Sequence, residues 1–250
     1  MNRLFRHLFG IFCLVTLTVP VHAESEKLTF FVLQNSPLMS FHNDSGELVG
    51  FNVDVGRALC AIMKVQCQIK ETTLANMVDQ IASGEGDFGV ASLSVTPERS
   101  KKVGFTIPYF REGTFWVSRT PMDKSKGIKV ATVSGSTQSK WVTQRSAEMA
   151  WNIVTAKANA DLPDILLTDK AEAAIAPISP AINMMRNDKL REKGFIVSAI
   201  NAPELAGPTS IAVNPAKLKL REQLDAAIQE ISNNGQLDRL NSKYFPFRMF

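Results

Sequence analysis

Two hydroxyls and a guanidinium placed to grip an anion, Ser92, Ser94 and Arg99, fall inside one stretch, Asp87 to Ser100 (DFGVASLSVTPERS). The apolar run Phe88 to Val95 reads as a buried parallel strand. Ser92 and Ser94 alternate onto one side of its end, which is where open α/β sheets bind ligands. Thr96-Pro97-Glu98 then reads as a helix N-terminus, with Thr96 as N-cap and Pro97 at the first helical position. Free backbone N–H groups, two hydroxyls and the Arg99 guanidinium would converge there, and a planar carboxylate satisfies all of them at once. Taken alone, the stretch reads equally well as a solvated arginine on an exposed turn.

A second anion-friendly corner lies in KVATVSGSTQSKW, Lys129 to Trp141. A strand, a Ser-Gly-Ser turn and a helix place Ser136 and Thr137 at another helix N-terminus. Ser134 and Ser136 are expected to cap, which leaves Thr137 as the residue facing a ligand.

The elements that must position these corners follow from periodicity. Leu28 to Leu33 reads as a first strand, and Asn43 to Gly46 is turn chemistry. Gly50 to Met63 reads as a helix with Asn52 as its cap, Asp54 in its first turn, and Val55, Leu59, Ile62 and Met63 on one face. A strand around Gln66 to Lys70 and a helix carrying Leu74, Met77, Val78 and Ile81 precede the first corner. This alternation builds a parallel sheet with helices on both faces. Past Arg99, Lys102 to Tyr109 and Gly113 to Ser118 read as extended. Strands follow at Ala171 to Ala176, Phe195 to Ala199 and Ser210 to Val213. Helices are expected at Ser179 to Arg186, Pro215 to Asn233 and Gln236 to Tyr244. Two α/β units with one anion-binding turn each suggest two lobes facing across a cleft.

Composition narrows the function classes. Arg3, Arg6 and His7, the apolar run Leu8 to Val19 and the small-residue site Val21-His22-Ala23 read as a secretory signal peptide cleaved after Ala23. No later run reaches the ~18 apolar residues that a membrane helix needs. Of 28 Lys and Arg against 24 Asp and Glu, only Arg3 and Arg6 lie in the leader, so the exported chain is near neutral. With no basic block, a nucleic-acid partner is not expected. Cys60 and Cys67, an even pair in an exported chain, suggest a disulfide. A zinc site is the alternative, and His42 is the only histidine past the leader to complete one. Trp116, Trp141 and Trp151 are expected in packing, and His42 is expected to be exposed.

GELVGFNVDVGRALC and SLSVTPERSKKVGFTIPYF resemble conserved blocks of the bacterial extracellular solute-binding proteins, family 3. SGSTQ and the ending GQLDRLNSKYF are similar to the same proteins, and the spacing of Cys60 and Cys67 matches the disulfide of the histidine- and lysine/arginine/ornithine-binding members. The resemblance covers essentially the whole chain beyond the leader. It implies a type II periplasmic-binding-protein fold: two lobes, each a mostly parallel sheet flanked by helices, with two hinge crossings near Arg111 to Thr114 and Glu204 to Pro208. Lobe 1 would span 24–112 and 206–250, and lobe 2 would span 113–205. A monomer in the periplasm would capture a small carboxylate-bearing solute without a cofactor or metal, then deliver it to the membrane permease of an ABC transporter.

Residue by residue, the resemblance implies carboxylate contacts from Ser92, Ser94, Arg99 and Thr137, with Leu74 as an apolar wall. The amine contacts depart from the family. Pro177 stands where an acidic residue usually takes the α-amino group, Leu33 replaces a second Asp, and Ser36 replaces the aromatic that stacks on the ligand. A buried ammonium without its carboxylate partner costs roughly 3–5 kcal/mol, so ordinary binding of lysine, arginine or histidine is not expected. Some relatives are periplasmic cyclohexadienyl dehydratases, whose proton chemistry needs an acid in the cleft. The turn Pro177 to Pro180 supplies none and Glu172 lies one strand early, so a binding protein rather than an enzyme is expected. A sensor module with no transporter is the remaining alternative.

Overall fold

The computed structural model describes residues 27–122 and 125–250, and the expected leader, Met1 to Ala23, lies outside the described residues. The chain opens with β1 (Lys27–Leu33), a hairpin of β2 (Phe41–His42) and β3 (Leu48–Val49), α1 (Phe51–Met63), β4 (Gln66–Thr72), α2 (Leu74–Ser83) and β5 (Phe88–Ser94). The single turn α3 (Pro97–Ser100), β6 (Gly104–Phe105) and β7 (Phe110–Glu112) follow. The middle of the chain runs β8 (Thr114–Ser118), β9 (Lys129–Val133), α4 (Thr137–Met149), β10 (Asn152–Ala156), α5 (Leu162–Leu167), β11 (Ala173–Pro177), α6 (Ile178–Met185), α7 (Asp188–Glu192) and β12 (Ile196–Ala199). It closes with β13 (Gly207–Val213), α8 (Leu218–Asn233) and α9 (Gln236–Tyr244).

These elements form two sheets with separate cores. The first has the order β4-β1-β5-β13-β6 with β7 on β13, and the second has the order β10-β9-β11-β8-β12. In each, the three strands joined through helices run parallel, while β13 in the first and β8 in the second run antiparallel. Sheet membership changes between Glu112 and Thr114 and again between Ala199 and Gly207, where Glu112 and Gly207 pair side by side. The fold is therefore two-lobed, each lobe a mostly parallel sheet flanked by helices.

Packing explains how firmly the cleft walls are held. The central strand β5 is buried through Phe88 to Leu93, and α8 buries Leu220, Leu224, Ala227, Ile228 and Ile231. At roughly 1.5–3 kcal/mol for each fully buried aliphatic side chain, that stripe alone pins α8 over the sheet. Phe51 packs among Tyr109, Phe110 and Phe245 at centroid distances of 5.1–6.3 Å, which clamps the start of β7 onto α1. Cys60 at the end of α1 is bridged to Cys67 in β4. Trp116, Trp141 and Trp151 pack on one another in lobe 2, with centroids 5.6–6.2 Å apart.

Two sequence expectations change, and two elements come without one. Helix α1 is capped by Gly50, whose φ of +133° and close approach to the Met39 carbonyl suit glycine, and Asn52 lies buried inside the helix. Between Lys102 and Tyr109 only Gly104 and Phe105 pair as a strand. Strand β10 and helix α5 carry no early signal because their burial alternates weakly and Pro163 opens α5.

Candidate ligand-binding cleft

Both corners form and face each other. In lobe 1, Thr96 caps α3, its hydroxyl accepting from the Arg99 N–H at 3.3 Å, with Pro97 at the first helical position. In lobe 2, the Ser136 hydroxyl accepts from the Ser139 N–H at 2.9 Å and donates to the Val133 carbonyl at 2.7 Å, so Ser136 is wholly employed as a cap. Thr137, next along, borders the cleft and is half-buried.

A cavity of about 50 Å³ lies between the corners. Ser36, Leu74, Ser92, Ser94, Arg99 and Thr137 all line it, as do Leu33 and Pro177. At roughly 10–15 Å³ for each ordered water, this volume is small, and a bulky ligand would require the lobes to part. The lobes touch around it. Arg99 Nη2 donates to the Gly135 carbonyl at 3.0 Å, Asn159 Nδ2 to Ser36 Oγ at 3.2 Å, and the Ala160 N–H to the Asn35 carbonyl at 3.1 Å. Lys140 pairs with Glu98 across the mouth. Gly135, at φ +76°, brings its α-carbon so near Ala75 that an added Cβ would sit 2.8 Å from the Ala75 Cα.

Arg99 is the positive pole of the cleft. Its Nη1 donates to the Ser94 carbonyl at 2.9 Å, which fixes the guanidinium in place and leaves further N–H donors for an anion. Burial lowers its pKa, opposed by the charges of Glu98 and Glu112, yet an arginine stays charged at any physiological pH. Ser92 departs from expectation. Its backbone sits at φ +48°, and its hydroxyl turns to Asn52 Oδ1 at 3.3 Å and Tyr109 Oη at 3.2 Å. Tyr109 in turn donates to Asn52 Oδ1 at 2.7 Å and accepts from the Ser92 N–H at 2.8 Å. Burial pushes the Tyr109 phenol far up, so it stays a donor. Ser92 and Ser94 both line the cavity, with the Ser92 hydroxyl already engaged by Asn52 and Tyr109.

Two cleft residues escaped the sequence reading. Gln138 is buried, and its amide donates to Thr114 Oγ1 at 2.8 Å, which donates to the Leu205 carbonyl at 2.8 Å. The first turn of α4 is thus tied to both crossings. Glu112, the last residue of β7, also lines the cavity. Burial pushes its carboxyl up to about 8, with Arg99 as the opposing charge. The expectation that the cleft lacks an acid is therefore corrected: the acid comes from the crossing strand, not from the turn after β11. Glu172 instead accepts from the Lys129 N–H at 2.7 Å at the opposite end of the lobe 2 strands.

Two lobes closing on a small polar cavity with an arginine at one pole define a solute-binding protein. The chain matches the bacterial extracellular solute-binding proteins, family 3, over residues 28–247, and it belongs to that family. It is similar to the L-arginine-binding protein of Pseudomonas aeruginosa, at 24% identity over 97% of each chain. It is also similar to the ABC transporter arginine-binding protein 1 of Escherichia coli, at 23% identity over 90% of this chain and 93% of the relative. Among solved structures, an ancestral arginine-binding protein bound to arginine aligns with a TM-score of 0.80 at 23% identity, covering 88% of this chain and 98% of that one. At that identity the likeness is one of fold.

Proposed function

We propose that this protein captures a small carboxylate-bearing solute, an amino acid or a close relative of one, between its lobes in the periplasm and delivers it to an ABC transporter permease. The observation that carries this reading is the convergence of Arg99, Ser94 and Thr137, from both lobes, on one cavity. The ligand carboxylate takes the free guanidinium edge of Arg99 and the Ser94 hydroxyl from lobe 1, then Thr137 from lobe 2. Leu74 and Ser36 form side walls. Contacts made from both lobes favour the closed arrangement and shift the opening equilibrium. In this reading lobe 1 spans 24–112 and 206–250, lobe 2 spans 113–205, and Met1 to Ala23 is removed on export; the changes of sheet between Glu112 and Thr114 and between Ala199 and Gly207 support the lobe division. The arginine- and transporter-related names of similar proteins support the amino-acid and permease parts.

The test is thermal stabilisation by the twenty amino acids and their deaminated acids. Arg99→Ala removes the charged pole, so affinity falls by about a hundredfold or more, and the ligand-induced rise in Tm disappears. The unliganded Tm stays within a few degrees of wild type. An unchanged ligand shift in Arg99→Ala overturns the reading.

Glu112 also favours a second reading, because a protonated carboxyl beside a carboxylate clamp has the makings of a general acid. Turnover of a cyclohexadienyl acid that Glu112→Gln abolishes would replace binding by dehydration. Binding without turnover leaves the first reading in place.

A further inference from the structure

We infer that Glu112 is the amine acceptor of this cleft, receiving at its carboxylate the ammonium of an amino acid whose own carboxylate lies on Arg99. This deepens the proposed function and rests on it.

The charge pattern is the first argument. Among the described residues that line the cavity, Arg99 and Glu112 are the only ionisable ones, a guanidinium and a carboxyl. A zwitterion engages both, its ammonium drawing Glu112 into the carboxylate form, whereas a simple acid leaves the Glu112 carboxyl protonated and without an ionic partner. Position is the second. The two places where a carboxylate would be expected for an amine hold Leu33 and Pro177, which offer no side-chain acceptor. The acid has moved to the end of β7, where the neighbouring strand faces it with Gly207, Pro208 and Thr209, none of them charged. Arg99 directs its observed hydrogen bonds to the carbonyls of Ser94 and Gly135 rather than to Glu112. The Glu112 carboxylate is therefore not consumed by the arginine that sits across from it. The remaining titratable group coupled to it is Tyr109, which stays neutral.

A proton consequence follows. Burial keeps Glu112 protonated up to about pH 8, with Arg99 pulling the other way. An arriving ammonium favours the carboxylate, so binding at pH 7 expels the proton that Glu112 held. Apparent affinity for the amino acid then rises by up to about tenfold per pH unit below about pH 8 and levels off above it. A deaminated acid shows no such rise, because it needs no ionised Glu112.

The position of Glu112 at a crossing adds a conformational role. Residues in the crossing segments absorb the rotation between lobes, and Glu112 pairs with Gly207, at φ +145° with open space around it. A ligand bound between Arg99 and Glu112 thus reports its amine directly to the strands that must bend. Recognition of the amine and closure of the cleft are carried by the same backbone.

The experiment uses the full exported chain and a panel of the twenty amino acids, each paired with its α-keto or α-hydroxy acid. Isothermal calorimetry of wild type at pH 7 in phosphate and in Tris reads proton release for each amino acid that binds. The same titrations are run on Glu112→Gln. The expected result is release of close to one proton per amino acid bound. In Glu112→Gln, affinity falls by about a hundredfold for amino acids while that for deaminated acids is unchanged or improved. Because the proton measurement uses wild type, a folding defect in the variant does not rescue the idea. Equal amino-acid affinity in Glu112→Gln, or no proton release, overturns the amine role and leaves carboxylate capture standing. Binding of deaminated acids alone does the same. If no member of the panel binds wild type, both the amine role and the proposed function fall.

Discussion

The two corners that face each other across the cleft share one sequence grammar and divide the labour of a binding site unequally. Each is a buried strand ending in a hydroxyl-capped helix start, Thr96 in lobe 1 and Ser136 in lobe 2. The lobe 1 helix is a single turn of four residues, too short to present a sizeable dipole, and the charge comes from Arg99. The lobe 2 helix runs for 13 residues, its early charge, Lys140, is paired with Glu98 at the rim rather than lining the cavity, and its first turn is tied through Gln138, Thr114 and Leu205 to both crossings. Lobe 1 supplies the electrostatics, and lobe 2 supplies a rigid surface coupled to the hinge. A helix N-terminus in a sequence thus marks a place where an anion can sit without saying which partner provides the attraction.

Breaking the lobe 2 corner sharpens this division. Gly135→Ala should have the larger effect, because its Cβ enters the Ala75 backbone at 2.8 Å and its φ of +76° disfavours any side chain. Closure is obstructed rather than the charge removed. Ligand affinity is expected to fall by roughly tenfold, for a strain of about 1–2 kcal/mol, with small-angle scattering showing the liganded protein more open than wild type. A variant that closes and binds like wild type would show that the lobes do not approach through Gly135. Ser136→Ala comes next. Loss of the cap on α4 costs about 1 kcal/mol, a Tm decrease of roughly 2–4 °C for a chain of this size. Thr96→Ala, on a one-turn helix with a longer 3.3 Å cap bond, should lower Tm by less than Ser136→Ala. The reverse order would contradict the view that α4 is the structural corner.

How much of this could be read beforehand depended on locality. The corners are local: Thr96-Pro97 and Ser134-Gly135-Ser136 encode their own turns, and Arg99 stands three residues past its cap. The disulfide and the terminal helix Gln236–Tyr244 were equally legible. Glu112 was not, because nothing around FREGT marks the end of β7 as a cleft wall. Its role arises only when the crossing strand is placed between the two sheets. Gln138 was hidden for the same reason, since its partner Thr114 lies on another strand. Ser92 illustrates the opposite failure. Alternation alone leaves its hydroxyl free for a ligand, but a positive φ and the buried Tyr109–Asn52 pair engage it at the cavity wall.

The smallest expected effect lies at the mouth, where Lys140 of lobe 2 pairs with Glu98 of lobe 1 beside both corners. The pair spans the cleft and invites the idea of a latch, but both side chains are more than half exposed, and exposed pairs of this kind contribute little. Lys140→Ala should change ligand affinity by no more than about twofold at 0.15 M salt, far below the effect of Arg99→Ala. The pH window separates this pair from Glu112. Lys140 holds the Glu98 carboxyl down at about 2, so the pair is intact above the ordinary carboxylate range and is lost only as pH falls toward 2. The Glu112 carboxyl, held up at about 8, acts in the opposite direction. It favours the unliganded fold at low pH and loses that contribution as pH rises through 8. Glu112→Gln should therefore flatten the unliganded stability profile between about pH 5 and 8, while Lys140→Ala leaves it unchanged there. Chemical denaturation at several pH values, with and without Lys140, measures the difference. A Lys140→Ala protein whose affinity falls tenfold would move the electrostatics of closure from the buried pole at Arg99 to the rim.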